Sequence, residues 1–253
     1  MGIILIKKVN ALILAGSDKS ELGTNIKALI DIEGKSMIKY VIEMLRQCDF
    51  IEHIAVVGSS DKLKHLRDCG VDYIVEGKGS IIYNTIEGVN KLGKEKEVLV
   101  CTSDIPMITK QAIVDFVQKS QQTGAALCYP VVEKDQNEQR FPGIERTYVS
   151  MKEGAFTGGN LFYIHADVPK KCSEKAEQII SYRKNPFKMA TVLGWGTLVL
   201  LLLKRLSLGQ AQKRFSKIFN IDARVIVSNH PELANDVDKP SDLAYATKWL
   251  ASK

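Results

Sequence analysis

"ALILAGSDKSELGTNIKAL", residues 11–29, decides how the rest of the chain is read. An apolar run ends at Ala15-Gly16, a polar stretch follows, and Lys27 stands ahead of a second apolar run. Extended back to Val9, the first run has the near-continuous apolar pattern of a strand buried on both faces. A glycine turn after such a strand, leading to a lysine, suits phosphate binding, because small residues let backbone N–H groups approach anionic oxygens. The plainer alternative is an ordinary strand-to-helix connection. Spacing excludes two familiar phosphate devices. The loop G-x-x-x-x-G-K-[ST] fails because Thr24 stands where the lysine is required after Gly23. The dinucleotide fingerprint G-x-G-x-x-G fails because residue 18 is Asp.

Outward from this loop, β-rich runs alternate with helical patterns. "SMIKYVIEMLRQC" (36–48) spaces Met37, Tyr40, Val41, Met44 and Leu45 as a helix face. Strands are expected at 53–59, 71–77, 97–104 and 125–132, with helices at 61–69, 80–92 and 109–124 between them. The last of these has a Thr start and a Gly stop. The β-α-β-α order over 9–132 predicts an α/β fold with a mostly parallel sheet covered on both faces. Residues 133–155 are polar and irregular, and read as a lid or a β-excursion. A strand is expected at 158–165, then helices through 170–222 with a break near Ser207-Gly209, a strand at "ARVIVSN" and a closing helix that has Pro240 in its first turn. With no repeat or linker, one domain spanning 1–253 is expected, with 170–222 as a helical insertion.

The composition narrows the function classes. A net charge of +6 over 253 residues fits an anionic ligand but is too small and dispersed to argue for nucleic acid. Cys48, Cys69, Cys101, Cys128 and Cys172 are scattered, which argues against a zinc site or a disulfide scaffold; small buried hydrophobes are expected. His53, His65, His165 and His230 stand in no catalytic or metal-binding pattern. "MGIILIKK" has too short an apolar run for a signal peptide and lacks a myristoylation pattern, so a cytoplasmic location is expected.

Five stretches along the chain then resemble one family. "LAGS", "ELG", "KAL" and "GKSMI" in the first segment are similar to the L-A-G-G, R-M-G, K-x-L and G-K-P-[LM]-[IL] elements of nucleotidyltransferases of the molybdenum-cofactor guanylyltransferase type, the MobA-like enzymes. "CTSDIPMIT" (101–109) resembles their D-x-P-x-[IL] station, "EGKGSIIYNTIEGV" (76–89) their base- and ribose-reading segment, and "ANDVDKPSDLAYA" (234–246) their D-[IV]-D-[TK]-P-E-D-L close. "FTGGNLFYI" (156–164) resembles their glycine-rich, acceptor-facing strand entrance.

The resemblance implies a Rossmann-like three-layer sandwich with a mostly parallel mixed sheet, the GT-A-like fold. It implies Mg²⁺-dependent transfer of a nucleoside monophosphate, from GTP or CTP, to a phosphorylated small-molecule or lipid-precursor acceptor. Lys27 and Asp104 would be catalytic. Leu14, Ala15, Gly16, Ser17, Lys27, Gly79, Ser80 and Ser103 would hold the nucleotide. Asp104 and Asp236 would bind the metal, with Asp238 behind or sharing it, and Gly158, Gly159 and Asn160 would face the acceptor. Local alternatives accompany these roles: Asp104-Ile-Pro as a turn initiator, Ser80 as a helix cap, Gly158-Gly159 as a β-bulge. Two departures stand out: Ser17 replaces a glycine, and Glu21 replaces the arginine that faces the triphosphate, where an acid repels it. A degenerate nucleotide-binding regulatory protein, or a GT-A glycosyltransferase using a nucleotide sugar, are the competing classes; the second usually carries D-x-D where this chain has Asp104-Ile-Pro.

"MATVLGWGTLVLLLL" (189–203) is uncharged and flanked by Arg183, Lys184, Lys188, Lys204 and Arg205. At 15 residues it is shorter than the ~20 that span a bilayer. It reads either as a core or homodimer-interface helix, or as a helix lying on a membrane surface.

Overall fold

In a computed structural model, the structure describes residues 5–16, 22, 26–93, 97–182 and 185–252. The opening strand β1 (Val9–Ala15) sits mid-sheet, paired in parallel with β4 (Ile51–Gly58) on one side and β6 (Glu97–Thr102) on the other. Six of its seven residues are buried, which is why its sequence does not alternate. A two-residue hairpin, β2 (Asp31–Ile32) and β3 (Lys35–Ser36), precedes α1 (Met37–Arg46). Beyond β4, β5 (Tyr73–Glu76) closes one edge of the sheet.

On the other side the direction reverses. β10 (Leu161–His165) runs antiparallel between β6 and β7 (Leu127–Glu133). β7 then pairs in parallel with β11 (Ala223–Ser228) and antiparallel with β9 (Gly154–Gly158), which pairs with β8 (Val149–Met151). The described residues thus form a nine-stranded, mostly parallel mixed sheet. One face is covered by α1 and α4 (Lys110–Thr123) and the other by α3 (Ile81–Leu92), α6 (Val168–Tyr182) and α9 (Leu208–Phe219), each with its own apolar core. This is the expected three-layer α/β sandwich. A third apolar cluster gathers Met37, Met107, Phe141 and Val237 beneath the closing helix α10 (Pro240–Ala251).

Several local expectations need correction. Residues 61–69 form only a short helix, α2 (Ser60–Leu63), before tightening into a 3₁₀ turn through Cys69. Residues 133–155, read as a lid or a β-excursion, hold α5 (Lys134–Arg140) and then the β8–β9 hairpin, which is a β-excursion. The long apolar helix at 189–203 is broken: α7 (Pro186–Leu193) ends at Gly194, and α8 (Trp195–Leu202) starts a new direction. Gly194 adopts φ +89°, a conformation that side chains rarely reach, and the Arg214 guanidinium donates to the Leu193 and Val192 carbonyls, capping α7. The second break falls at residues 203–207, where Ser207 caps α9 by accepting from the Gln210 N–H. Among the described residues, no helix is long and apolar enough to cross a membrane. Four of the five cysteines are buried as expected and Cys69 is half-buried; burial pushes the Cys48 thiol up to about 11 and the Cys101 thiol to about 12.

Candidate active site

The carboxyl ends of β1, β4 and β6 open into one polar cleft of about 350 Å³. That is where open parallel sheets bind ligands, because the connecting loops diverge there. Leu14 and Gly16 form its floor, and Gly79, Asn84, Ser103 and Asp104 line its sides. Ala15 ends β1 with its side chain buried in the core, so only its backbone can serve a ligand. Ser103 is buried, and its N–H donates to the Leu14 carbonyl at 3.2 Å, which ties the two loop mouths together. Ser17 and Glu21 lie outside the described residues. Ser80 caps α3 by accepting from Tyr83 N–H at 3.1 Å, and its hydroxyl donates to Glu177. Its side chain therefore serves the helix start, while the neighbouring Gly79 meets the cleft.

At the rim of this cleft the three acidic stations meet. Asp104, Asp236 and Asp238 each offer a carboxylate oxygen, and these oxygens all lie within 4.8 Å of one another. Lys27 ion-pairs with both Asp104 and Asp238. Val237, between the two later aspartates, is fully buried, so the flanking carboxylates are left to the cleft side. Asp242, in the first turn of α10, accepts from the Asp238 N–H at 3.1 Å and the Lys239 N–H at 3.3 Å. The D-V-D-K-P-S-D string thus both presents carboxylates and starts the closing helix.

The charges strain against one another. Burial, then the Asp104 charge, pushes the Asp236 carboxyl from 3.8 up to about 7, against the pull of Arg146. For Lys27, burial favours the neutral amine, but Asp104 and Asp238 outweigh it and raise its pKa. Asp238 is held below its ordinary value despite burial, by Lys27. One oxygen of Asp104, Oδ1, is buried with no hydrogen-bond partner. A crowded carboxylate set with an unsatisfied oxygen fits a hard divalent cation, which takes carboxylate oxygens and keeps positions open for phosphates.

The acceptor-side residues are placed differently from one another. Gly158 and Gly159 stand at the irregularity between β9 and β10, where the register against β7 shifts. A Cβ on Gly158 would meet the Tyr129 hydroxyl at 2.1 Å, and one on Gly159 would meet Pro130 at 2.8 Å. Both glycines answer to packing. Asn160 reaches the cluster itself: its amide donates to Asp236 Oδ1 at 3.4 Å and its N–H to the Leu233 carbonyl at 2.8 Å.

Sequence reasoning missed Arg146. It pairs with Asp236 Oδ1 at 3.6 Å, donates to the Asp236 carbonyl, and donates to Asn235 Oδ1 at 3.1 Å. Asn235 in turn donates to Asn137 Oδ1 at 2.7 Å, so the 133–155 segment buttresses the metal-type cluster. Arg146 lies in a stretch without periodicity, and nothing in its spacing links it to Asp236.

Residues 11–185 match the model of the MobA-like NTP transferase domain. A probable molybdenum cofactor guanylyltransferase of Pyrococcus horikoshii is 28% identical over 123 residues, 49% of this chain and 62% of that one. A 2-C-methyl-D-erythritol 4-phosphate cytidylyltransferase of Thermotoga neapolitana is 28% identical over 127 residues, 46% of this chain and 55% of that one. The chain therefore spans roughly half to three-fifths of the curated relatives it matches. Among solved structures, a hypothetical transferase from Thermus thermophilus superposes with TM-score 0.82 at 33% identity, covering 93% of this chain and 99% of that one. A CMP:2-keto-3-deoxy-manno-octonic acid synthetase, complexed with CTP, shares the fold at TM-score 0.66 and 16% identity, covering 97% and 99%. With most of the described fold inside the matched span, the chain belongs to the MobA-like NTP transferase family.

Proposed function

We propose that this enzyme moves a nucleoside monophosphate from GTP or CTP to a phosphorylated acceptor, releasing pyrophosphate. The observation that carries the reading is the meeting of Lys27, Asp104, Asp236 and Asp238 at the rim of the cleft. The nucleotide would lie over Leu14 and Gly16, with its base end toward Gly79 and Asn84. Lys27 stands where its ammonium can leave its two aspartates and meet phosphate oxygens. Asp104 and Asp236, with Asp238 adjoining, would hold Mg²⁺. Bound there, such an ion neutralises phosphate charge and allows the carboxylates to be ionised together. Asn160 and Arg146 orient Asp236. No protein nucleophile is required: an acceptor phosphate oxygen attacks the α-phosphorus in line, so catalysis is positioning and charge neutralisation.

The test is thermal stability with GTP, CTP, ATP and UTP, each with and without Mg²⁺, followed by pyrophosphate release over an acceptor panel. A ligand that binds the folded state raises the melting temperature by mass action. Silence from all four nucleotides would sink the proposal. Glu21 favours a second reading, a nucleotide-binding protein with weakened catalysis. Glu21→Arg should then tighten triphosphate binding; unchanged binding would count against placing Glu21 beside the phosphates.

A further inference from the structure

The helical layer over the second sheet face is poorly closed. Between α3, α6, α9 and the sheet lies a cavity of about 290 Å³ walled by apolar side chains, among them Leu14, Val100, Phe162, Ala176 and Phe215. Leu14 and Ile81 also line the polar cleft, so cavity and cleft share a wall. A second apolar cavity of about 230 Å³ shares Phe162 and Phe215 with the first. A third, of about 170 Å³, shares Phe215 and Ala211 with the second and lies under Leu198 and Leu201 of α8. The series forms a trough from the candidate active site to α8. Tyr129, which lines the second cavity, stacks on Phe162 with ring centroids 4.8 Å apart, its hydroxyl lies against Gly158, and it feels the charge of Asp236.

At the outer end, α8 reads WGTLVLLL, carries no charge, and has no buried residue. Leu202 is 73% exposed, and Phe187 of α7, 70% exposed, packs toward Trp195. Water is a poor partner for such a surface. From 178 to 221 the sequence contains eight basic residues and no acidic one. Lys188, Lys204 and Arg205 are exposed next to the apolar residues. That charge argues against a second copy as the covering partner, because an isologous contact would set this one-signed surface against itself. It is complementary to an anionic lipid surface, where aromatic and aliphatic side chains enter the interface and lysines meet the head groups.

We propose that α7 and α8 seat the enzyme on an anionic leaflet, and that its acceptor is the monophosphate of a long-chain alcohol drawn from that leaflet. The hydrocarbon lies in the trough and the phosphate reaches Lys27, beside the Asp104–Asp236 cluster. The transfer half of this statement rests on the proposed nucleotidyl transfer; the lipid-binding half does not. In the transfer, an oxygen of the dianionic acceptor phosphate bonds to the α-phosphorus as the bond between the α-phosphorus and the oxygen bridging it to the β-phosphate breaks. Pyrophosphate carries away the electron pair, and no proton has to be removed from the acceptor.

Two measurements test the inference. In co-sedimentation, the protein is expected to bind vesicles of phosphatidylcholine containing phosphatidylglycerol, to release at high salt, and to leave pure phosphatidylcholine vesicles largely unbound. Leu202→Glu, an exposed substitution, should weaken that binding about tenfold or more. In calorimetry, farnesyl monophosphate should bind well above inorganic phosphate. Ala176→Phe, which fills the first cavity, should cost it about tenfold or more, with melting temperature checking that the variant is folded. No vesicle binding at low salt overturns the proposal, as does farnesyl monophosphate binding no better than inorganic phosphate. A dimer in light scattering that Leu202→Glu dissolves, without vesicle binding, makes the face a self-interface and also overturns it. If vesicles and farnesyl monophosphate bind but no nucleotide does, the transfer reading fails and the lipid site stands. If nucleotides bind and neither amphiphile does, only the lipid site falls.

Discussion

The backbone N–H of Val237 donates to the Asp104 carbonyl oxygen at 2.8 Å. That one bond brings the loop after β6 against the loop before α10 and sets their aspartates at a common point. Its price is three carboxylates in one place with one lysine between them. Removing a carboxylate should therefore stabilise the protein while disabling it. Asp236→Asn is expected to stabilise the protein at neutral pH without Mg²⁺, by about 1–3 kcal/mol, and so to raise its melting temperature. It should also lower turnover by about two orders of magnitude or more. Thermal melts and pyrophosphate release measure the two effects; an active or destabilised variant would contradict the assignment.

Asp236 also sets a pH dependence. Its carboxyl titrates at about 7 when folded, against 3.8 for an ordinary aspartate. Between those values the folded chain holds a proton that the unfolded chain has released. Stability from this group is thus fully present below about pH 4 and is lost as pH rises through about 7. The difference in melting temperature between the wild type and Asp236→Asn should be small below about pH 4, widen as pH rises toward about 7, and level off above it. Mg²⁺ requires the ionised form, so its affinity should rise over the same interval. A difference that is flat with pH would remove Asp236 from the cluster's proton balance.

Lys27 is expected to compete with the metal, since it ion-pairs with two of the three aspartates. Lys27→Met leaves those charges without their cation and should cost about 1–3 kcal/mol in stability. Added Mg²⁺ should restore more stability to this variant than to the wild type, and its Mg²⁺ affinity should be higher. Turnover should nonetheless fall by about two orders of magnitude, because the phosphate loses its positive partner. Calorimetric Mg²⁺ titration separates these outcomes. Weaker Mg²⁺ binding in Lys27→Met would mean that the lysine organises the site and does not compete for it.

The half of the fold that was legible came from long, uninterrupted signals. Buried β1 announces itself because a strand covered on both faces has no polar residue to interrupt it, and α4 because Thr109 and Gly124 mark its ends. Lys27, Asp104 and Asp236 were named from the resemblance of their stretches to one family's motifs, and the fold brings them to one place. Gly194 was not legible as a break, because what ends α7 there is a guanidinium arriving from Arg214, twenty residues on. Ser80 shows the opposite case: its position was right for a ligand, and the helix start and Glu177 take its hydroxyl instead. Arg146 carries no local signal at all, since its meaning depends on a fold that brings it to Asp236.

Arg146 gives the last prediction, and it separates a positioning role from a structural one. Its charge is the main force lowering the Asp236 pKa, and its guanidinium also fixes the Asp236 carbonyl and the Asn235 side chain. With Arg146→Met, the alkyl stem still fills its space, but the charge and the donors are gone. The Asp236 pKa should then rise further above 7. The pH at which Mg²⁺ binding is half developed should move up with it, so that activity lost near neutrality is partly recovered at higher pH. A residue that merely held the loop in place would lower activity equally at every pH. Arg146→Lys, which keeps the charge but not the forked donors, should restore the pH midpoint before it restores full turnover. Turnover and Mg²⁺ affinity followed across pH for both variants decide the matter: a midpoint that stays where the wild type has it would assign Arg146 to scaffolding alone.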